Sequence, residues 1–174
     1  REDSYLLQKY VEKYCKKGYV VLDMGTGSGI QAITAAKFAK KVIAADINPD
    51  AIASAKENAS IEHINNIKFV ESDLFSNIHK KKFDMIVFNP PYLPEEKEIE
   101  NTALFSAKRG TETTVKFLDE VNSYLNKEGI ILLVCSSLAS KAKIEEAINN
   151  NLLVFEVLET EHIFFEDIFV MKKD

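Results

Sequence analysis

Val20-Val21-Leu22-Asp23-Met24-Gly25-Thr26-Gly27-Ser28-Gly29-Ile30 is the stretch on which the fold turns. A short, apolar, β-branched run leads straight into a glycine loop. Gln31 to Phe38 then reads as a helix, with Ile30, Ile33, Thr34, Ala35 and Phe38 near one face. Glycines at such a junction let the backbone turn sharply and approach a ligand closely. The spacing is Gly-x-Gly-x-Gly, with Ile30 after the third glycine. A dinucleotide fingerprint reads Gly-x-Gly-x-x-Gly or Ala, so the frame beginning at Gly25 fails at its third position. Asp23, at the strand end, would repel a pyrophosphate; it suits a ligand carrying a positive sulfonium and an ammonium group.

Two more strand ends follow at useful distances. Lys41-Val42-Ile43-Ala44-Ala45-Asp46 is a second strand ending in an acid, about twenty residues past the glycine loop, where a ribose-binding carboxylate is expected. Asn48 and Pro49 open a helix as cap and first helical residue, with Ala51, Ile52, Ala55 and Ala59 on its inner face. Lys68-Phe69-Val70 makes a third strand, and Glu71-Ser72-Asp73-Leu74 follows, with Asp73 placed to accept an adenine amino group. Each acid alone reads as an ordinary turn or cap residue. Three strand ends in succession, each with the polar group one nucleoside ligand needs, point to S-adenosylmethionine over NAD.

The apolar run from Phe83 to Phe88 ends at Asn89-Pro90-Pro91-Tyr92. A strand stopped by two prolines leaves its last side chains and carbonyls at the carboxyl edge of a sheet, where open α/β sheets bind ligands. Proline fixes φ and has no N–H, so the Pro90 carbonyl is held in one direction. Asn89 adds a side-chain carbonyl beside it. Two fixed acceptors and an aromatic face make a clamp for a planar NH2 group.

Together these residues resemble class I S-adenosylmethionine-dependent methyltransferases. Within them they resemble the HemK-like branch, which methylates the glutamine of the Gly-Gly-Gln loop in peptide release factors. Glu2-Asp3-Ser4-Tyr5-Leu6-Leu7 is similar to the branch's amino-terminal segment, Asp23 to Gly29 to its cofactor loop, Asp46-Ile47-Asn48-Pro49 to its ribose acid, and Asn89 to Tyr92 to its catalytic motif. Arg109-Gly110 and the helix expected from Thr111 to Leu125 are similar to a stretch of the short archaeal and eukaryotic members. Asp23-Met24-Gly25 departs mildly from the Glu-x-Gly also frequent there. The match begins at residue 1, and the motif is expected to continue upstream of Arg1. The resemblance implies catalytic roles for Asn89, Pro90, Pro91 and Tyr92. It implies cofactor contacts from Asp3, Ser4, Asp23, Gly25, Thr26, Gly27, Asp46, Ile47, Asp73, Leu74 and Asn89, and no metal. It further implies S-adenosylhomocysteine as product, a release factor as substrate, and a small zinc-binding activator paired with the edge strand Ile67-Lys68-Phe69-Val70.

The 174 residues suit one enzyme domain over residues 1–174, with 46% hydrophobic and 28% charged residues. No apolar stretch reaches membrane-spanning length, and no signal-like segment stands out. Cys15 and Cys135 form neither a zinc spacing nor a disulfide framework, which fits a reducing cytoplasm. A net charge of −5 favours a protein substrate over nucleic acid. The rivals are an adenine amino group in RNA or DNA, and a catalytically silent S-adenosylmethionine-binding scaffold. Lys80-Lys81-Lys82 reads as a solvated turn away from the ligand edge, and the Glu- and Lys-rich Leu93 to Arg109 as a flexible substrate lid. Ile130 to Val134 is a buried strand, Ala139 to Asn149 a helix with Ile144, Ala147 and Ile148 inward, and Leu152 to Leu158 and Ile163 to Met171 a closing antiparallel pair with His162 in its turn. The expected fold class is α/β: a seven-stranded, doubly wound, Rossmann-like sheet with one antiparallel strand in a C-terminal hairpin.

Overall fold

A computed structural model describes residues 2–79, 81–90, 102–163 and 166–174. The strands are β1 (Val20–Met24), β2 (Lys41–Asp46), β3 (Ile67–Glu71), β4 (Phe83–Phe88), β5 (Leu125–Ser136), β6 (Glu156–Ile163) and β7 (Glu166–Lys173). They form one sheet in the order β3-β2-β1-β4-β5-β7-β6. β3, β2, β1, β4 and β5 pair in parallel, and β7 runs antiparallel to both of its neighbours. The chain crosses from β1 outward to β3, then returns to place β4 on the other side of β1, which creates a topological switch point between β1 and β4. The expected sheet, with one reversed strand in a closing hairpin, is what forms.

The central strands are apolar on both sides because helices cover both faces. α1 (Glu2–Tyr14) and α2 (Ile30–Ala36) bury Leu7, Val11, Ala32 and Ala35 against Val21, Val42, Val87 and Leu132. α4 (Thr102–Val121) and α5 (Lys141–Asn150) bury Phe117, Leu118, Ile144 and Ala147 against the opposite face, lined by Leu22, Ile86, Ile131 and Leu133. α3 (Pro49–Ile61) is capped by Asn48, whose side-chain oxygen accepts the Asp50 N–H, with Pro49 in the first turn. Among the described residues no helix joins β3 to β4; Phe75 and Ile78 of the connecting turns fill that part of the core.

Three sequence expectations need correction. The helix expected at Thr111 to Leu125 begins nine residues earlier and stops at Val121, so 102–109 belong to a helix and not to a lid; 91–101 lie outside the described residues. Gly110 is buried within the helix, where Thr114 Oγ1 donates to its carbonyl at 2.8 Å. Burial of Phe117, Leu118 and Val121 outweighs the roughly 1 kcal/mol helix cost of one glycine. The closing strands are displaced as well: β6 starts at Glu156, after the exposed Leu152 and Val154, and Glu159 to His162 are strand, not turn. β6 is the outer strand, mostly exposed, so it carries the charges that edges use against aggregation, and its Glu159 to His162 segment reads from sequence as a turn. His162 Nδ1 lies 2.9 Å from Asp167 Oδ1 across the β6–β7 pair.

β5 is also longer than its apolar stretch, taking in Asn126 to Gly129 where its register with β4 shifts between Phe83 and Met85. A Cβ at Gly129 would lie 2.9 Å from the Phe83 carbonyl oxygen and 2.8 Å from Leu125 Cδ1. Gly129→Ala is therefore expected to cost about 1–3 kcal/mol, read as a lower urea midpoint with unchanged slope; an unchanged midpoint would contradict this close packing.

Candidate active site

Parallel pairing of β1 with β4 sets Met24 beside Phe88, so both strands end level at the switch point. Gly25 follows the first and Asn89 the second. Gly25 has φ +64°, in the left-handed region, and a Cβ there would touch the Phe88 ring at 3.5 Å. Gly27 has φ +54° and nothing within 4 Å of where its Cβ would stand, so the loop borders open space on that side. Gly29 packs against α3, with Ala55 Cβ 3.0 Å from a would-be Cβ.

Carboxylates hold the loop in shape. Asp23 is 2% exposed. Its Oδ2 accepts the Thr26 hydroxyl at 2.6 Å and the Ala32 N–H in the first turn of α2 at 3.0 Å. The acid expected to face a cationic ligand is thus turned into the loop, and both of its hydrogen bonds brace it. Thr26 is buried and donates its N–H to the Ala45 carbonyl on β2 at 2.9 Å. The half-buried Asp46 accepts the Gly27 N–H on one oxygen and the Asn48 N–H on the other, each at 2.9 Å, and each oxygen keeps a further lone pair. Ile47 beside it is 56% exposed, unusual for an isoleucine next to the core. The Ser72 N–H bonds to the Asp46 carbonyl at 2.9 Å, which brings the turn carrying exposed Asp73 and left-handed Leu74 (φ +47°) next to Asp46 and Ile47.

The first turn of α1 closes the arrangement. Asn89 Nδ2 donates to Asp3 Oδ2 at 2.9 Å, and Gln31 Nε2 donates to the Ser4 carbonyl at 2.7 Å. Asn89 Oδ1 and Gln31 Oε1 are buried and accept no hydrogen bond among the described residues. An unsatisfied buried acceptor costs about 1–3 kcal/mol, so two at one sheet edge mark a place built for donors from elsewhere. The structure thus gathers Asp3, Ser4, Asp23, Gly25, Thr26, Gly27, Asp46, Ile47, Asp73, Leu74, Asn89 and Pro90 around the carboxyl ends of β1 to β4; Pro91 and Tyr92 lie outside the described residues. Gln31 escaped the sequence reading. Its one signal was a polar residue on a helix face that is otherwise buried.

The fit to S-adenosylmethionine rests on the open side of Gly27, the acids Asp46 and Asp73, and the exposed apolar Ile47 next to Asp46: polar groups for a ribose and an amine, and an apolar contact for a base. Among the described residues no cluster of His, Cys, Asp or Glu is arranged for a metal, and no helix is long and apolar enough to cross a membrane.

Comparison with known proteins agrees with this geometry. The model of the family described as "Methyltransferase small domain" matches residues 3–165. A Methanocaldococcus jannaschii protein, provisionally named a protein N5-glutamine methyltransferase, is 44% identical over 154 residues, covering 85% of this chain and 75% of that one. The release factor glutamine methyltransferase of Lactococcus lactis is 34% identical over 144 residues, 76% of this chain and 53% of its own, so the chain spans about half of that relative. The fold matches the Mtq2 methyltransferase of E. cuniculi, solved with Trm112, at a TM-score of 0.74, with 22% identity, over 100% of this chain and 95% of that chain.

Burial raises the Asp23 carboxyl from 3.8 to about 7, against the lowering effect of its bonds to Thr26 and Ala32. The folded chain therefore holds a proton there that the unfolded chain releases near pH 4. The stability this contributes is complete below about pH 4 and is lost as pH rises through 7. Asp23→Asn, which keeps an acceptor for both bonds, is expected to flatten the stability–pH curve between pH 4 and 7 in thermal melts; an unaltered curve would contradict it. On family match, sequence relatives and fold together, the chain belongs to the methyltransferase small-domain family, in its HemK-like branch of S-adenosylmethionine-dependent N-methyltransferases.

Proposed function

We propose that this protein methylates the side-chain amide nitrogen of glutamine, in the Gly-Gly-Gln loop of a peptide chain release factor. The observation that carries the reading is Asn89 Oδ1: a buried acceptor without a partner among the described residues, beside the glycine loop at the end of β4. A glutamine amide is a poor nucleophile because its lone pair is delocalised into its carbonyl. Asn89 Oδ1 accepts one of its protons and the Pro90 carbonyl the other, which fixes the nitrogen and favours the positive charge it gains. Pro91 and Tyr92 are assigned the role of holding the amide plane from the sequence motif alone. S-adenosylmethionine, when bound, supplies a methyl group on a sulfonium. Asp46 would hold its ribose, Asp73 its adenine amino group, and the Gly25–Gly27 loop its amino-acid part. Positioning and preorganised dipoles of this kind lower a barrier by several kcal/mol. As the nitrogen–carbon bond forms the sulfur–methyl bond would break, leaving S-adenosylhomocysteine as a neutral thioether; no side-chain base is assigned, and the nitrogen then gives up its extra proton to water.

The names of two relatives support the acceptor, as does the acidic balance of the chain. The basic residues Lys41, Lys68 and Lys81 line a pocket of about 280 Å³ with His79 at the foot of β2 and β3, at the opposite end of those strands from Asp46. They do not face the proposed acceptor site, as a base-flipping enzyme would require of a surface gripping nucleic acid.

With labelled S-adenosylmethionine, methyl is expected in a release factor and not in total RNA; the reverse would establish the adenine reading, and label in neither the silent scaffold. Asn89→Ala is expected to abolish transfer while S-adenosylhomocysteine affinity stays within about tenfold, roughly 1.4 kcal/mol. Near-normal turnover in the variant would contradict the clamp.

A partner follows from the sheet edge. β3 is the outer strand, with Ile67, Phe69 and Val70 only half buried and one row of backbone groups unpaired by the sheet. The E. cuniculi Mtq2 relative was solved with Trm112. The partner we propose, a small zinc-binding activator, would pair along 67–70. Co-expression is expected to give a one-to-one complex with higher solubility and turnover; an equally soluble and active isolated chain would count against it.

A further inference from the structure

We propose that Asp3 is the positioning residue of the methyl-acceptor site: its carboxylate selects the one orientation of the Asn89 amide that presents an oxygen to the substrate. The proposal rests on the amide-methylation reading above and changes the role of Asp3 from the cofactor contact expected from sequence. An asparagine amide is nearly symmetric in shape but opposite in chemistry at its two ends. Turned over, Asn89 would offer NH2 to the substrate's NH2, two donors face to face. Asp3 Oδ2 lies 2.9 Å from Asn89 Nδ2, and an ionised carboxylate only accepts. The turned-over amide would set oxygen against oxygen there, so the orientation follows from chemistry.

Asp3 is itself anchored. The Gln31 side chain, at the start of α2 directly after the glycine loop, donates to the carbonyl of the neighbouring Ser4 at 2.7 Å. Leu6, Leu7, Tyr10 and Val11 bury the rest of α1 against the sheet. The first turn of α1 is thereby fixed between the glycine loop and the end of β4. A donor bond from Nδ2 into a carboxylate also pushes electron density toward Oδ1, because hydrogen bonds in a chain polarise one another. The oxygen that must stabilise a nitrogen gaining positive charge is strengthened by a residue that never touches it.

The test is an exchange of donor and acceptor. Asp3→Asn, nearly isosteric, is expected to lower kcat for a Gly-Gly-Gln peptide by roughly ten- to a hundredfold, with S-adenosylhomocysteine affinity and melting temperature little changed. Asn89→Asp alone places two carboxylates together and is expected to be worse. The double variant Asp3→Asn/Asn89→Asp restores a donor-to-carboxylate pair with an oxygen still facing the substrate, and is expected to regain about tenfold or more over Asn89→Asp. Wild-type kcat in Asp3→Asn, no recovery in the double variant, or a loss confined to cofactor affinity would each overturn the proposal. If the wild-type enzyme leaves the peptide unmethylated, the glutamine assignment falls instead. Asp3 is then judged by nitrogen-15 NMR of the Asn89 side-chain amide in the S-adenosylhomocysteine complex. Slowed proton exchange that is lost in Asp3→Ala supports it, and identical exchange in both proteins overturns it.

Discussion

The parallel pairing of β1 with β4 is the constraint on which the rest of the molecule depends. Two strands buried on both faces and running the same way must stop at the same end of the sheet, and the Met24–Phe88 register stops them level. One stop is a glycine and the other an asparagine followed by proline. Glycine at φ +64° turns the first chain away into a loop and helix; proline, with no N–H to extend a ladder, releases the second. A loop open to a ligand and a side-chain amide are thereby set side by side by backbone hydrogen bonds alone. Register slippage of one residue would turn Asn89 to the other face.

Carboxylates then lock what the register places. Asp23 ties the glycine loop to α2, Asp46 ties it to the end of β2, and Asp3 ties Asn89 to α1. All three are hydrogen-bonded within the protein, so the site is shaped before any ligand arrives. That preorganisation has a cost. Asp23 sits where burial disfavours its charge, and two amide oxygens lack partners. The packed core beneath the site lets the fold carry those penalties, with Phe83, Ile86, Phe117 and Leu132 fully buried.

The sheet and its switch point were legible because the first four strands are short, apolar and closed by Gly, Asp, Ser or Pro, each of which has a physical reason to end a strand. The caps at Asn48 and Pro49 were legible for the same reason. Less legible was whatever depends on tertiary surroundings. The first turns of α4 were hidden because Leu93 to Arg109 is rich in Glu and Lys, and Glu159 to His162 looked like a turn because an edge strand has no need of an apolar face. In the site, sequence identified the acids but not their partners. Nothing local in Asp3 or Gln31 announces a bond to Asn89, 86 positions on, or to Ser4, 27 positions back. Those pairings exist only once α1 docks on the sheet.

The amide clamp at the end of β4 is tested by a crystal structure of the enzyme with S-adenosylhomocysteine and a Gly-Gly-Gln peptide. The glutamine side-chain nitrogen is expected within hydrogen-bonding distance of both Asn89 Oδ1 and the Pro90 carbonyl, with Asn89 Nδ2 still on Asp3. A glutamine bound away from the end of β4, or an Asn89 amide turned to present its nitrogen, would contradict it.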